Sequence, residues 1–175
     1  MPDAPEIPEA SDPFEKRAAV TIAILAVVLA VVGNKGDNAK TDAIIKTNEA
    51  SNQWGYFQAK GIKGSIASAE QELLTVLAPS QPAAADVAKI TERLKSDAER
   101  YKTEQVKIKK DAEEAQKDAE RGSKINDRCD QGSLALQIAI VLASVSILAR
   151  SHAFWIASIV LGLIGVVIGV LAFLI

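Results

Sequence analysis

The sequence predicts an all-α integral membrane protein with three transmembrane helices and a long antiparallel helical (coiled-coil) hairpin between the first and second. Three observations predict it. Apolar runs without an ionisable residue occupy 18–33, 133–149 and 154–175, and about 20 apolar residues suffice to cross a ~30 Å hydrocarbon core. Between the first two runs, residues 34–132 carry most of the Lys, Arg, Asp and Glu. Within that polar segment, Pro79-Ser80-Gln81-Pro82 holds the only prolines beyond Pro13 and divides it into two halves of similar length.

Residues 1–17 read as a disordered acidic tail: Asp3, Glu6, Glu9, Asp12 and Glu15 stand against Lys16 and Arg17, with Pro2, Pro5 and Pro8 interspersed. Low hydrophobicity with many prolines and acids cannot bury enough surface to order a chain. The apolar run at 18–33 lacks the basic n-region and the small-residue cleavage site of a secretory signal. It is entered by helix-start chemistry, with Asp12 as cap, Pro13 at the first helical position and Glu15 three residues after the cap. It is therefore expected to be a retained transmembrane helix.

The segment 34–132 is expected to form the helical hairpin, its turn near 79–85. In its second half Val87, Ile90, Leu94, Ala98, Tyr101, Gln105, Ile108, Ala112, Ala115 and Ala119 recur every three or four residues, an a/d seam with Gln105 as its one polar interruption. Between seam positions, 12 basic and 12 acidic residues alternate from Asp86 to Asp130, as on a solvated helix face. The first half offers a looser stripe of Ile44, Ile45, Trp54, Phe57, Ile62, Ile66, Ala69, Leu73, Val76 and Leu77, interrupted by Gly55, Gly61 and Gly64. Each glycine costs a helix interior about 1 kcal/mol against alanine. Either the helix bends there or another backbone packs close. Two long helices share one seam and bury little surface per residue, so a homo-oligomer is expected.

The closing runs, 133–149 and 154–175, predict a membrane hairpin about Arg150-Ser151-His152. Ala135, Ala139 and Ala143 recur every fourth residue in one, and Gly162, Gly165 and Gly169 line the other. Small residues at this spacing allow transmembrane helices to pack backbone to backbone. Gln137 is the strongly polar side chain inside a run, expected to act as interhelical glue or to line a pore.

Composition excludes several functions. With a net charge of −2 there is no basic footprint for nucleic acid. One cysteine (Cys129) and one histidine (His152) rule out an intrachain disulfide framework and make a structural zinc site unlikely on chemical grounds. The pattern contains no nucleophile elbow, Walker loop or GxGxxG. No catalytic residue, cofactor or metal is expected, and the chain is expected not to be an enzyme. Near the anchors, Lys35, Lys40, Lys46, Arg121, Lys124 and Arg128 on the hairpin side outnumber Lys16, Arg17 and Arg150 on the other, which favours a cytoplasmic hairpin. Cys129 then predicts no labelling by an impermeant maleimide applied from outside.

The stretch Asn52-Gln53-Trp54-Gly55-Tyr56-Phe57-Gln58-Ala59-Lys60 concentrates aromatic residues. Trp54 and Phe57 are expected to fill a hairpin or oligomer core; Trp54, Tyr56, Phe57 and Lys60 are the candidate interaction surface. Together with the Glu-Lys-Arg start of the first anchor and Gly-Asp-Asn-Ala at 36–39, the block Glu49 to Lys60 resembles a bacterial membrane family, domain of unknown function 4337. The resemblance covers nearly the whole chain and implies a multi-pass protein of the bacterial inner membrane. It implies no activity, and Gly61 and Gly64 depart from it. The expected function is a non-enzymatic membrane-anchored coiled-coil scaffold or accessory subunit, acting through self-association or an unidentified membrane protein partner among membrane lipids. The alternative is a small oligomeric channel or transporter component.

Overall fold

The computed structural model describes residues 13–77 and 84–174. The predicted tail at 1–12 and the turn residues 79–83 lie outside the described residues. Among the described residues all regular structure is helical: α1 (Pro13–Leu77), α2 (Ala84–Leu148) and α3 (His152–Phe173), with no strand. All three are long and apolar enough in part to cross a membrane. Helix α1 begins at Pro13, where a proline loses no helical hydrogen bond and its fixed φ suits the first turn. Residues 13–17, drawn into the predicted tail, therefore belong to the helix. It runs without a break through Gly55, Gly61 and Gly64, so none of the glycines ends it.

The chain divides into two compact units. Unit 1 comprises the chain up to Asp42 together with Arg121–Ile175. Here α3 turns its small residues inward, and many large apolar residues of the unit face outward. Its core joins Leu25 and Val32 of α1, Cys129, Leu136 and Ala139 of α2, and Ala172 of α3. Helix α3 presents Ser158, Gly162, Gly165, Gly169 and Ala172 to that core. Its glycines are notches. A Cβ at Gly162 would meet Leu25 Cδ2 at 2.7 Å, and one at Gly169 would meet Val32 Cγ2 at 2.8 Å. At Gly165 it would meet the Gly132 carbonyl oxygen and Leu136 Cγ, both at 2.9 Å. The two fully buried serine residues satisfy themselves locally, Ser146 Oγ donating to the Ala143 carbonyl at 2.6 Å and Ser158 Oγ to that of Trp155 at 2.7 Å. The buried Ser133 Oγ makes no such bond among the described residues.

A tight turn joins α2 to α3. The Ser151 N–H donates to the Ser146 carbonyl and the Arg150 N–H to that of Ile147, the paired bonds of a Schellman ending. Arg150 takes the left-handed position with φ 48°. Glycine is the usual occupant there, because an L side chain costs about 1 kcal/mol in that region.

Unit 2 is Ala43–Glu120, one stretch each of α1 and α2. Partners fall in opposite order along the two: Phe57 with Gln105, Lys60 with Glu104, Gly64 with Tyr101. On α2 the inward line is the predicted one with one correction. Leu94, Ala98, Tyr101, Gln105 and Ile108 are half-buried and Ala112, Ala115 and Ala119 buried, but Ile90 is exposed and Thr91 takes its place. On α1 the prediction fails for most of the stripe. Ile44, Ile45, Ile62, Ile66, Leu73, Val76 and Leu77 are all exposed. The inward line is Ala43, Lys46, Ala50, Gln53, Phe57, Gly61, Gly64, Ala67, Gln71 and Leu74. Small residues let the two backbones approach, and the bulky ones are left on the far face.

Candidate functional site

The centre of unit 2 is a polar layer in a mostly small-residue line. Gln105 Nε2 donates to the Phe57 carbonyl at 3.1 Å, and a Cβ at Gly61 would meet that same amide at 2.7 Å. Gly61 is thus the socket for Gln105. At the adjacent positions, Lys60 Nζ pairs with Glu104 and lies 5.1 Å from the centroid of the Tyr101 ring, with Arg100 at 5.1 Å from the same ring. The hydrogen bond from Lys60 holds the Glu104 carboxyl below its ordinary value. Such a polar contact inside a seam favours one register, because a shift along the seam costs the Gln105 amide its bond to the Phe57 carbonyl.

The predicted interaction residues separate here. Trp54 and Phe57 are half-buried and meet edge to face, centroids 5.6 Å apart. Lys60 is committed to Glu104. Tyr56 points outward, 63% exposed. Nearer the other end of unit 2, Lys46, Glu49, Gln53, Asp111, Glu114 and Asp118 line a polar cleft, in which a hydrogen bond to Glu49 raises the Lys46 pKa.

The outward face of α1 is the feature hydropathy reading misplaced. Ile62, Ile66, Ala69, Leu73 and Val76 follow at alternating steps of four and three and are all exposed, Ile62 at 61% and Val76 at 76%. Two residues along a helix is about 200° of rotation, so this line lies opposite the one that faces α2. The signal was present: Phe57 to Ile62 is a step of five, which a single face cannot carry.

In unit 1, Ala139 and Ala143 are fully buried and Ala135 half-buried. The buried line of α2 runs Gly132, Leu136, Ala139, Ala143, Ser146, a period of 3.5 rather than four, and Ala135 drifts off it. Gly162, Gly165 and Gly169 are in the core. Gln137 is exposed on the outer face of α2. Cys129 is 1% exposed, and burial pushes its thiol pKa up against the opposing pull of Lys35. That protection removes it as a probe of sidedness, since a buried thiol resists labelling from either side. Sequence reasoning missed Gly132, whose Cβ would meet the Gly165 carbonyl oxygen at 3.0 Å and the Gly169 nitrogen at 3.1 Å. Its spacing of seven from Ala139 was the available signal.

At one end of unit 1, Pro13, Phe14, Arg17, Arg150, His152 and Trp155 line a cavity of about 280 Å³. Among the described residues no group of three or more His, Cys, Asp or Glu could hold a metal ion. A family model described as Domain of unknown function (DUF4337) matches residues 14–175. No curated protein and no solved structure matches the chain.

Proposed function

For this chain, which belongs to the DUF4337 family, we propose the role of a non-enzymatic scaffold, anchored in the bacterial inner membrane and assembled laterally through α1. The observation that carries it is the heptad-spaced aliphatic line Ile62, Ile66, Ala69, Leu73 and Val76 on the face of α1 turned away from α2. A helix seam of period 3.5 fits a second helix. A parallel second copy fits without conflict: Gln58 would face Lys63, and Ser65 would face Glu70, so no like charges meet. Burying the remaining half of each Ile, Leu or Val contributes roughly 1 kcal/mol per side chain.

Membrane anchoring is supported by the inverted packing of unit 1. Glycine, alanine and serine share its core with Leu25, Val32, Cys129 and Leu136, while Val20, Ile24, Val27, Val31, Ile138, Val141, Val160, Leu163 and Val167 are exposed. Water would penalise that surface heavily; lipid is a neutral solvent for it. The polar segment is then a helical hairpin of coiled-coil type, placed in the cytoplasm by the basic residues flanking its anchors.

Oxidative cross-linking of the full chain in vesicles tests the reading. In a Cys129→Ala background, Ile66→Cys should form a disulfide-linked dimer and Lys109→Cys, on the charged outer face of α2, should not. Monomer only at Ile66→Cys, or equal cross-linking at both positions, refutes it.

A second reading rests on Gln137. Its outward amide would be desolvated in lipid, and self-association would bring several copies together, as glue or as a pore lining. Ion flux in reconstituted liposomes that Gln137→Leu abolishes would establish a channel component in place of the scaffold.

A further inference from the structure

The cavity at the end of unit 1 is built from three parts of the chain: Phe14 and Arg17 of α1, Arg150 in the turn, and His152 and Trp155 of α3. Its apolar wall is fixed. Phe14 is 9% exposed and packs on the His152 ring at 4.4 Å and edge-on to Trp155 at 6.1 Å. Trp155 Nε1 donates to Thr21 Oγ1 at 3.2 Å, and Thr21 Oγ1 donates to the Arg17 carbonyl at 2.9 Å. The indole is therefore held against α1 rather than free to swing.

The polar side carries two guanidiniums against one carboxylate. Glu15 Oε1 lies 3.8 Å from Arg150 Nη2, the long limit of an ion pair, and Arg17 adds a second positive charge. Ser151, the cap of α3, makes no side-chain capping bond, which leaves the first amides of a 22-residue helix beside the cavity mouth. Arg150 also occupies a left-handed position that glycine would fill without strain. The left-handed turn gives no backbone reason for an arginine; the C-terminus of α2 and Glu15 are its partners within the chain, and an anion would be a further one.

We propose that this cavity holds the phosphate of an anionic phospholipid headgroup, with Arg17 and Arg150 supplying charge and Phe14 and Trp155 the apolar wall. A volume of about 280 Å³ falls just below the range of drug-sized ligand sites and suits a headgroup. A lipid is favoured over free phosphate because the next turns of α1 and α3 expose Val20, Ile24 and Ile156, an apolar surface for acyl chains. Basic side chains with a tryptophan at a span's end are the chemistry of the membrane interface.

The inference rests on unit 1 lying in a bilayer, and the test separates the two. The full chain carrying Trp54→Phe leaves Trp155 as the one tryptophan, inside the cavity wall. In mixed vesicles, brominated phosphatidylglycerol should quench it with a relative binding constant about fivefold or more above that of brominated phosphatidylcholine, at about fivefold per guanidinium. Arg17→Gln together with Arg150→Gly should bring that ratio close to one. The second substitution relaxes the turn, so a lost preference is not a lost fold; thermal melts of the variant should be no lower in midpoint than those of the parent. Equal quenching by the two lipids in the parent overturns the proposal, as does a preference that survives both substitutions. Inorganic phosphate that abolishes the preference at equal concentration overturns the lipid assignment in favour of a soluble anion. Failure of the chain to float with vesicles at all refutes membrane anchoring instead.

Discussion

Gly165→Ala places one methyl group where the packing of unit 1 has no room for it. Its Cβ would lie 2.9 Å from the Gly132 carbonyl oxygen and 3.1 Å from the Leu136 nitrogen, both backbone atoms. Ordinary contact needs roughly half an ångström more, and backbone cannot swing aside as a side chain can, so α2 and α3 must move apart. Overpacking of this kind costs about 1–3 kcal/mol, against about 1 kcal/mol gained from helix propensity. Gly33→Ala, in the same unit, has nothing within 4 Å of its new Cβ and keeps only the gain. The two variants should therefore differ by about 1–3 kcal/mol, Gly165→Ala being the less stable. Loss of helical circular dichroism of the full chain, titrated from mild detergent into SDS, measures that difference. Equal midpoints, or a more stable Gly165→Ala, would refute the notch reading of α3.

Three further outcomes follow from unit 2 and the buried thiol. Gly55→Ala, whose Cβ meets nothing within 4 Å, should raise stability by about 1 kcal/mol in thermal melts; Gly61→Ala should change it by less, since about 1 kcal/mol of lost Gln105 hydrogen bonding offsets the same gain. Glu104 has its pKa lowered by Lys60, so the pair's contribution is complete above the ordinary carboxylate value and disappears as pH falls through the lowered one. Melting temperature should hold from neutrality to about pH 5 and fall below about pH 4, a fall that Glu104→Gln reduces; an identical acid profile in that variant would rule out the pair as its source. Cys129, 1% exposed, should react with a thiol reagent at least about tenfold slower in the folded chain than in SDS, and equal rates would contradict its burial.

The legible parts of the fold are those where hydropathy and geometry coincide. Pro13 marked the start of α1, and the α2 line from Leu94 to Ala119 was readable because its inward residues are mostly apolar or small ones. The α1 face was not readable that way. Half of its inward positions are Ala43, Ala50, Gly61, Gly64 and Ala67, chosen for what they lack, and absence of bulk leaves no hydropathy signal. The isoleucines that did give a signal belong to the opposite face. Within the candidate surface, the aromatic block was visible as unusual, but which rings turn inward depended on the α1 register. Gly61 illustrates the limit: its role as a socket exists only once Gln105, far away in sequence, is beside it. The cavity at the end of unit 1 was illegible for the same reason, since it gathers single residues from α1, a turn and α3.

The aliphatic line on α1 has a consequence for stoichiometry. In the proposed assembly, copies meet through the same face of α1, a contact that closes on itself as a pair or as a small ring of parallel helices. Once that contact is closed, no equivalent face is left to recruit a further chain. The charged outer face of α2 offers no aliphatic line of its own, with Ile90 and Val106 standing alone among its exposed large apolar residues in unit 2. Through this contact, the proposed assembly therefore closes on itself and does not grow into a lattice. A higher count would need a different surface, and Gln137 in unit 1 marks where to look for it.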